Sequence, residues 1–453
     1  MNIPSVIRRN ILLPLQCLYS GSSRLSYLAE LQSSQYLPTA RLFELQSKRL
    51  SNLLNHLADN NEFYRCRFRE YGVNVAGVDP LAELRKLAPL DKPTIRAAGD
   101  AILSDGYRKS DLMEFRTGGS TGEPLRLWIT EDCSERRNAC AWRHDQWSGW
   151  RVGEPLGALW GNAKPPAGLK QRLRAALLDP TVVLDTMRLS AQTTHEFATA
   201  WNRVQPTLLF GHAHSIYQLA LELEALGLDT VTPKAIIATS MSLLEPERIV
   251  IERILGVPVT DRYGCEEVSL IGSECEIHDG MHLNVEHLII EFLDDDGIPV
   301  EDGVSGRIVV TDLQNLAMPF VRYEVGDMGV PSSEACPCGR GLPMMEGLSG
   351  RIADFLFRTD GSKVAGISMI ENTLTKFPGI RQMQIVQETV AEFRLRLVLD
   401  GDLDRSLEVQ LTAVFVAAFG EGISVAFELT DRILPEASGK FRFSVCRVAQ
   451  TYP

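Results

Sequence analysis

Strand-like and helical segments alternate along residues 113–327, and this alternation restricts the chain to a layered α/β fold. The strand-like segments are short runs of β-branched and aliphatic residues at 125–129, 207–210, 235–238, 288–292 and 307–310. Helical spacing of apolar residues falls between them, as at 215–226 and 245–255. The sequence shows no repeat of about 20 to 50 residues, which excludes a solenoid or a propeller.

A helical segment precedes this body and a smaller unit follows it. Apolar residues at 42–71 have the spacing of amphipathic helices. After Arg351 the sequence predicts two strands, an apolar helix at 403–419 and another strand at 423–427. We therefore expect a large α/β N-terminal domain at 1–350 and a small α/β C-terminal domain at 351–453.

The charge balance bears on the class of partner. The chain has 46 basic and 58 acidic residues and a formal net charge of −12, which argues against a general nucleic acid binder. No run approaches the ~20 apolar residues that a membrane-spanning helix needs. We therefore expect small-molecule partners, no nucleic acid and no stable membrane insertion.

The cysteine content and the N-terminus bear on the compartment. Nine cysteines in 453 residues are too sparse for a secreted disulfide framework, so we predict a cytoplasmic protein. Arg8 and Arg9 precede a short apolar run at 11–19 that imitates a signal peptide. Because Pro14 and Gln16 interrupt this run, we do not interpret it as an export signal; contact with a membrane surface stays an alternative.

A segment rich in glycine and hydroxyl groups, Thr117-Gly118-Gly119-Ser120-Thr121-Gly122, lies between two strand-like runs. Its glycines let the backbone approach an anion closely, and its hydroxyls and amides can donate to phosphate oxygens. The segment therefore predicts a polyphosphate clamp, with a glycine-rich hairpin as the simpler alternative. It is not a Walker loop, because no Gly-Lys-Ser/Thr sequence ends it.

Other short motifs add groups suited to a nucleotide. The segment Tyr263-Gly264-Cys265-Glu266-Glu267, predicted as a turn after a strand at 257–260, offers an aromatic ring for a base and carboxylates for a divalent cation. The segment Arg322-Tyr323-Glu324-Val325-Gly326-Asp327 supplies a carboxylate that can accept two ribose hydroxyls. Gly350-Arg351-Ile352-Ala353-Asp354 and Ser438-Gly439-Lys440-Phe441 complete the set. Taken singly, each motif is equally well explained by surface charges.

In this order the motifs resemble those of the adenylate-forming superfamily of acyl-CoA synthetases, and most closely its phenylacetate-CoA ligase-like branch, which includes CapK-like proteins of capsular polysaccharide clusters. The resemblance implies the adenylate-forming enzyme fold, with a large multi-sheet N-terminal domain and a small mobile C-terminal domain. It implies that a carboxylic acid, expected to be aromatic, reacts with ATP to give an acyl adenylate. The acyl group then passes to coenzyme A.

The resemblance also implies a role for each matched residue. Attack of a carboxylate on the α-phosphate brings two anions together, so the site must neutralise charge. The implied roles are phosphate binding by Thr117, Gly118, Gly119, Ser120, Thr121 and Gly122, with Thr121 also catalytic; Mg²⁺ binding by Glu267; lining of the adenine and acyl pocket by Tyr263 and Gly264; ribose binding by Asp327 with Arg351; a hinge at Asp354; and charge neutralisation at the α-phosphate by Lys440.

The motifs leave the acid and its acceptor open. The phosphate loop reads Thr-Gly-Gly-Ser-Thr-Gly where many relatives have Ser-Ser-Gly-Thr-Thr-Gly, and no basic residue precedes Gly439. Besides coenzyme A, the acceptor can be a carrier thiol, an amine or a hydroxyl. Two other classes stay open: an adenylyltransferase, and a non-catalytic descendant that serves as a binding module. A homodimer is compatible with the sequence.

A second set of residues has metal-ligand chemistry. Cys336-Pro337-Cys338 is a tight turn with two thiols, and Cys275 is followed by His278 and His282. Three sulfurs and one imidazole can close a tetrahedral structural zinc site. Spacing alone does not choose between the two histidines; the resemblance favours the set Cys275, His282, Cys336 and Cys338. The alternative is a pair of reduced thiols in a loop.

Two histidines, His212 and His214, lie between a predicted strand and a predicted helix. They are candidates for the acid pocket, or they simply mark the start of the helix.

Overall fold

The computed structural model describes residues 4–116, 125–160, 168–351, 355–360, 363–377, 379–434 and 442–448. Within these ranges the strands are β1 (Met113–Arg116), β2 (Arg126–Ile129), β3 (Leu156–Trp160), β4 (Thr181–Asp185), β5 (Leu208–His212), β6 (Ala235–Thr239), β7 (Val259–Cys265), β8 (Ser269–Ser273), β9 (Met281–Leu283), β10 (Leu288–Leu293), β11 (Gly306–Asp312), β12 (Tyr323–Ser332), β13 (Met344–Arg351), β14 (Phe355–Phe357), β15 (Lys363–Ala365), β16 (Ile380–Thr389), β17 (Glu392–Leu399), β18 (Ser424–Leu429) and β19 (Ser444–Cys446).

The helices surround these strands. They are α1 (Ser5–Ile7), α2 (Leu13–Ser20), α3 (Arg24–Ser34), α4 (Thr39–Asn60), α5 (Glu62–Tyr71), α6 (Pro80–Arg85), α7 (Lys92–Ala98), α8 (Glu131–Trp147), α9 (Gly168–Leu178), α10 (Ala191–Val204), α11 (Ala213–Ala225), α12 (Glu245–Leu255), α13 (Gly366–Lys376) and α14 (Arg405–Phe419). A π-helical turn at Arg8–Leu12 joins α1 to α2, and short 3₁₀ turns lie at Gly99–Ile102, Lys109–Asp111 and Thr186–Arg188.

A mixed sheet of eleven strands forms the centre of the described structure, in the order β10-β11-β12-β13-β9-β8-β7-β6-β5-β3-β4. The strands β4, β3, β5, β6 and β7 run parallel, and those from β7 to β10 pair antiparallel. In a parallel sheet the carboxyl ends of the strands meet at one edge, and ligands bind in the crevice there. The carboxyl ends of β3, β5, β6 and β7 form such an edge.

Three apolar cores among the described residues cover this sheet. One packs α4 and α5 against the antiparallel strands, with Leu50, Leu54 and Tyr64 buried. A second packs α10, α11 and α12 against the parallel strands, around the buried Trp201. A third packs α3 and α8 against β5, β6 and β8, with Ile237 buried. Burial of each large apolar side chain contributes about 1.5–3 kcal/mol, so these cores fix the layers on which the site residues stand.

The C-terminal part has its own sheet and core. The strands β18, β17, β16 and β19 form a four-stranded sheet, and α14 packs on it through Phe393, Phe415 and Phe419, whose ring centroids lie 4.5–5.8 Å apart. The strands and the helix predicted after Arg351 are present, with α14 at Arg405–Phe419.

The strand before Glu267 and the N-terminal apolar run differ in detail from the sequence-based expectations. The predicted strand at 257–260 is in fact β7, which extends through Cys265, so Tyr263 and Gly264 lie in a strand and not in a turn. The interrupted apolar run near the N-terminus is helical, and Arg8 is buried there, with hydrogen bonds to the carbonyl oxygens of Leu177 and Gly153. No helix within the described ranges has the length and apolar character that crossing a bilayer requires.

Candidate active site

Tyr263 and Asp327, predicted from separate motifs, are in direct contact. Tyr263 in β7 donates its hydroxyl hydrogen bond to Oδ2 of Asp327 in β12 over 2.8 Å, and both residues are buried. Asp327 stands opposite Arg351 in the register of β12 and β13, so the backbone of Arg351 is also adjacent. The structure therefore brings three of the predicted nucleotide-binding residues to one place.

Glu267, the predicted Mg²⁺ ligand, is buried in a polar cluster close by. Its Oε1 accepts a hydrogen bond from the Tyr323 hydroxyl over 2.8 Å and lies 3.0 Å from Nζ of Lys92. Burial alone would raise the pKa of Glu267, but the Lys92 ammonium and the Tyr323 hydroxyl outweigh it and hold the pKa below its ordinary value. Burial and the neighbouring Glu267 carboxylate raise the pKa of Tyr323, so this hydroxyl stays protonated and donates. Glu267 is therefore an ionised carboxylate at neutral pH.

Arg137 of α8 connects this cluster to the sheet. Its Nη2 donates to the carbonyl oxygen of Glu267 over 2.8 Å and to Oδ2 of Asp312 over 2.7 Å. Because Glu267 follows the end of β7, this bond fixes the backbone of the predicted cation ligand.

A cavity of about 640 Å³ opens beside these residues, at the carboxyl ends of the parallel strands. The last residues of β3, β5, β6 and β7 line it: Trp160, His212, Thr239 and Cys265. Gly264 also lines it, and a Cβ at this position would lie 2.6 Å from the carbonyl oxygen of Ser269. Burial and then the Glu267 carboxylate raise the pKa of the Cys265 thiol well above its ordinary value, which favours the protonated thiol at neutral pH.

The remaining predicted site residues fall outside the described residues. They are the phosphate loop Thr117, Gly118, Gly119, Ser120, Thr121 and Gly122, the hinge Asp354 and the lysine Lys440. The described residues before the predicted phosphate loop stop at Arg116, the last residue of β1, and those after it begin at Leu125, just before β2. The strands β1 and β2 pair with each other in antiparallel register.

The predicted metal ligands Cys275, His282, Cys336 and Cys338 come together, and their ligand atoms all lie within 4.8 Å of one another. The Sγ atoms of Cys275 and Cys336 are 3.6 Å apart, and Sγ of Cys338 is 3.2 Å from Nε2 of His282. These distances approach the edges of about 3.5–3.8 Å of a tetrahedron with Zn–S bonds of about 2.3 Å and Zn–N bonds of about 2.0 Å.

The surroundings of the cluster also fit a metal ion. His282 directs Nδ1 to the carbonyl oxygen of Leu342 at 3.3 Å, which leaves Nε2 to face the sulfurs. Burial lowers the pKa of His282 to about 4, so the imidazole is neutral. His278, which spacing left as an alternative, turns to Glu274, with Nδ1 3.3 Å from Oε2. His282 is therefore the histidine that the structure places with the three sulfurs.

His212 and His214 have different positions. His212 lines the cavity and packs edge-on against Trp160, with ring centroids 4.6 Å apart. His214 faces the C-terminal sheet: its Nε2 is 3.0 Å from the amide nitrogen of Gln382, and its Nδ1 is 2.5 Å from Oε1 of Glu247. His214 thus lies at the contact between the two parts of the chain and not in the cavity.

Sequence reasoning missed Lys92, Tyr323 and Arg137. Tyr323 lies inside a motif that was recognised for Asp327, and strand alternation would have placed both side chains on one face of β12. Lys92 and Arg137 follow no motif, and only the tertiary fold brings them to Glu267.

Comparisons with known proteins match this architecture along most of the chain. Residues 356–446 match the family model described as the CapK C-terminal domain. The phenylacetate-coenzyme A ligase of Thermus thermophilus is 26% identical over 88% of this chain and 87% of its own length. The phenylacetate-coenzyme A ligase of Escherichia coli is 26% identical over 74% of this chain and 76% of its own.

Among solved structures, a 2-hydroxyisobutyryl-CoA ligase in the postadenylation state, in complex with an acyl adenylate, superposes with a TM-score of 0.74 at 19% identity and covers 91% of each chain. The same enzyme in an open conformation gives a TM-score of 0.61.

The fold is that of the adenylate-forming CoA ligases, and the predicted fold class is confirmed. Within this class the chain is similar to the phenylacetate-CoA ligases and carries a C-terminal segment of the CapK type, which confirms the predicted resemblance.

Proposed function

We propose that the protein activates an aromatic carboxylic acid with ATP to an acyl adenylate and then transfers the acyl group to coenzyme A. The observation that carries this proposal is the convergence of Glu267, Tyr263 and Asp327 beside a cavity at the carboxyl ends of the parallel strands. The similarity to two phenylacetate-CoA ligases over most of the chain supports an acid–thiol ligase, with ATP and coenzyme A as cosubstrates.

The two buried carboxylates, Asp327 and Glu267, bind different parts of the magnesium–nucleotide complex. Asp327 accepts the ribose hydroxyls, since Tyr263 already holds one of its oxygens in place over 2.8 Å. Glu267 offers the ionised oxygen that holds Mg²⁺, with Tyr323 and Arg137 fixing its side chain and its backbone. When bound, Mg²⁺ neutralises charge on the phosphate oxygens. The proposal also includes phosphate binding by residues 117–122, ribose binding by Arg351, a hinge at Asp354 and charge neutralisation at the α-phosphate by Lys440.

Exchange of radioactive pyrophosphate into ATP, dependent on an added aromatic acid, tests the first half-reaction. We expect exchange with the native chain and a loss of at least about 100-fold in Lys440→Ala, because removal of a cation that stabilises the transition state costs a few kcal/mol. Lys234→Ala, an exposed lysine between α11 and β6, is the control and should keep its activity. Acid-independent transfer of AMP to a product, or no exchange with any acid, would contradict the proposal.

We also propose that Cys275, His282, Cys336 and Cys338 bind one structural Zn²⁺. Four protein ligands leave no open position, so the ion braces the sheet and takes no part in the reaction. Elemental analysis should find about one zinc per chain, lost in Cys336→Ser and kept in Cys66→Ser, which alters an exposed thiol on α5. A metal-free native protein would refute this site.

The organisation of the molecule completes the proposal. We place the domain boundary between 350 and 351, where the chain leaves β13 of the large sheet, and the small domain then includes the segment similar to CapK. We propose a cytoplasmic enzyme that acts on small molecules; a homodimer is compatible with this and is checked by light scattering.

A further inference from the structure

The stretch 5–20 is a continuous helix, formed by α1, the π-helical turn and α2, and it turns apolar side chains to the solvent. These side chains follow one another at helical spacing, and each is at least 41% exposed: Ile7, Ile11, Leu15 and Leu18. Val6 and Tyr19 are exposed beside them. A helix that only covers a core turns its apolar side chains inward, so an outward apolar stripe indicates a binding surface.

Buried hydrogen bonds of Arg8 fix this orientation of the helix. The guanidinium donates from Nη1 to the carbonyl oxygen of Gly153 and from Nε to that of Leu177, each over 2.9 Å. Leu13 is buried as well, in the core beneath α3 and α8. A charged side chain therefore holds the inner side of the helix, and the apolar stripe stays outside.

The charges next to this helix have a positive excess. Residues 1–29 contain no acidic residue, and neither does α9, although the whole chain has a net charge of −12. Burial raises the pKa of Asp179, which follows α9, and the nearby positive charges of Arg24, Arg174 and Arg8 oppose this rise. Arg24 also pairs with Glu135 over 2.6 Å. The arginines here thus outnumber the acids, with Arg8, Arg9, Arg24 and Arg174 against Asp179 and Glu135.

The size of the stripe fits a lipid surface better than a protein partner. The helix is about 24 Å long and about 10 Å wide, which gives a footprint of roughly 240 Å². A stable contact with a second protein buries about 800 Å² on each side. Insertion into a bilayer requires neither this area nor a complementary shape, because the acyl region accepts any apolar side chain. The positive excess favours a bilayer with anionic head groups.

We propose that the helix at 5–20 attaches the protein to the surface of an anionic lipid bilayer, with its apolar stripe inserted at the boundary of head groups and acyl chains. Tyr19 has a ring and a hydroxyl suited to this boundary. The exposed Arg174 adds positive charge for the lipid phosphates. Because Arg8 holds the other side of the helix on the protein, the helix lies along one face of the bilayer. This inference goes beyond the proposed function, since lipid binding requires neither ATP nor an acid.

Flotation of the full-length protein with lipid vesicles tests the proposal. Phosphatidylcholine vesicles that contain about 30% phosphatidylglycerol should carry the native chain with them, and vesicles of phosphatidylcholine alone should bind it at least about threefold more weakly. A native chain that floats with neither kind of vesicle would overturn the proposal. Equal binding to both kinds would overturn the preference for anionic head groups.

A double variant locates the contact on the stripe. Leu15→Gln with Leu18→Gln should weaken vesicle binding at least about tenfold, because glutamine removes inserted apolar surface and has a helix propensity similar to that of leucine. Ile249→Gln with Val409→Gln is the matched control at exposed aliphatic residues of α12 and α14, and it should bind within about twofold of the native chain. Circular dichroism checks that both variants fold. Undiminished binding of the first variant would overturn the assignment of this helix.

Light scattering without lipid separates a bilayer from a second copy of the chain as the occupant of the stripe. We expect the same oligomeric state for the native chain and for Leu15→Gln with Leu18→Gln, because the footprint is too small to hold two copies together. A native dimer that this variant converts to a monomer would show that another copy covers the stripe, and it would overturn the proposal.

Discussion

At the scale of single residues, two opposing effects act on the pKa of one buried carboxylate, that of Glu267. Glu267 is only 4% exposed, a condition that favours the neutral acid, yet Lys92 and Tyr323 both contact its Oε1 and favour the anion. The effect of Lys92 and Tyr323 exceeds that of burial, so the pKa of Glu267 lies below its ordinary value. The ionised state of Glu267 near neutral pH, which the proposed Mg²⁺ binding requires, therefore depends on a lysine that is far away in the sequence.

The substitution Lys92→Met tests this dependence through pH. Without the ammonium, burial dominates and the pKa of Glu267 rises, so the acid limb of kcat/KM for pyrophosphate exchange should move to higher pH by about one unit. Lys86→Met is the control, since Lys86 pairs with Glu83 over 2.7 Å at the surface. An acid limb that stays in place in Lys92→Met would show that Lys92 does not control the ionisation of Glu267.

The sequence allowed prediction of those site residues that belong to contiguous motifs. Glu267, Tyr263 and Asp327 each lie in a short segment whose composition indicates chemistry, and they were predicted on that basis. Lys92 and Arg137 could not be predicted, because an ion pair with a distant partner leaves no local pattern of residues. Spacing alone did not choose between His278 and His282; the resemblance favoured His282, and the structure places His282 with the three sulfurs.

At the scale of elements, the loop that carries two of the predicted metal ligands, Cys336 and Cys338, is supported by a close backbone contact. The loop between β12 and β13 packs against the connection between α3 and α4, where Gly341 donates to the carbonyl oxygen of Gln35 over 2.9 Å. Thr39 donates to the carbonyl oxygen of Gly341 over the same distance. A Cβ at Gly341 would lie 1.9 Å from the carbonyl oxygen of Leu37, so only glycine permits this approach.

The substitution Gly341→Ala should separate the loop from the helices. We expect a loss of at least about 2 kcal/mol in the free energy of unfolding, because the clash is with backbone and cannot be relieved by rotation of a side chain. Zinc content should fall with it, since Cys338 is three residues away. Gly347→Ala in β13, where a Cβ meets no atom within 4 Å, is the control. Chemical denaturation measures the free energy of unfolding, and elemental analysis measures the zinc content. Native values of both in Gly341→Ala would contradict a structural role for this close contact.

Element boundaries were predicted less well than element types. The alternation of strands and helices and the C-terminal β-β-α-β order are present as expected. The extension of β7 through Cys265 was missed, because its glycine and polar residues are typical of turns; pairing with β6 as far as Arg262 and with β8 through Cys265 keeps this segment extended.

At the scale of the whole molecule, a short chain of hydrogen bonds joins the two parts. Gln382 of β16 donates its amide hydrogen bond to Nε2 of His214 over 3.0 Å, and its carbonyl oxygen accepts from the backbone of Ile433 over 2.9 Å. The imidazole reaches Glu247 at its other nitrogen. These contacts hold the C-terminal sheet against the large part of the chain in this arrangement.

The substitution Gln382→Leu should weaken this arrangement. It leaves Nε2 of His214 and the N–H of Ile433 without Gln382 as a partner, which costs about 1–3 kcal/mol. We expect a larger radius of gyration in small-angle X-ray scattering of Gln382→Leu than of the native chain. Gln410→Leu, at an exposed glutamine of α14 that donates to Ser406, is the control. Identical scattering of the Gln382→Leu and native chains would contradict a role in holding the two parts together.

The arrangement itself had no signal in the sequence, since the residues of this interface lie in no motif. The order of the motifs predicted two domains. The sequence also drew attention to His212 and His214, but it did not show that His212 lines the cavity whereas His214 contacts the C-terminal sheet.

The register of β12 and β13 connects the proposed ribose site to the end of the large sheet. Asp327 stands opposite Arg351, and Arg351 is the residue at which the chain leaves the large sheet. In the proposed enzyme, a change in the direction of the chain after Arg351 would therefore also move the backbone that pairs with Asp327.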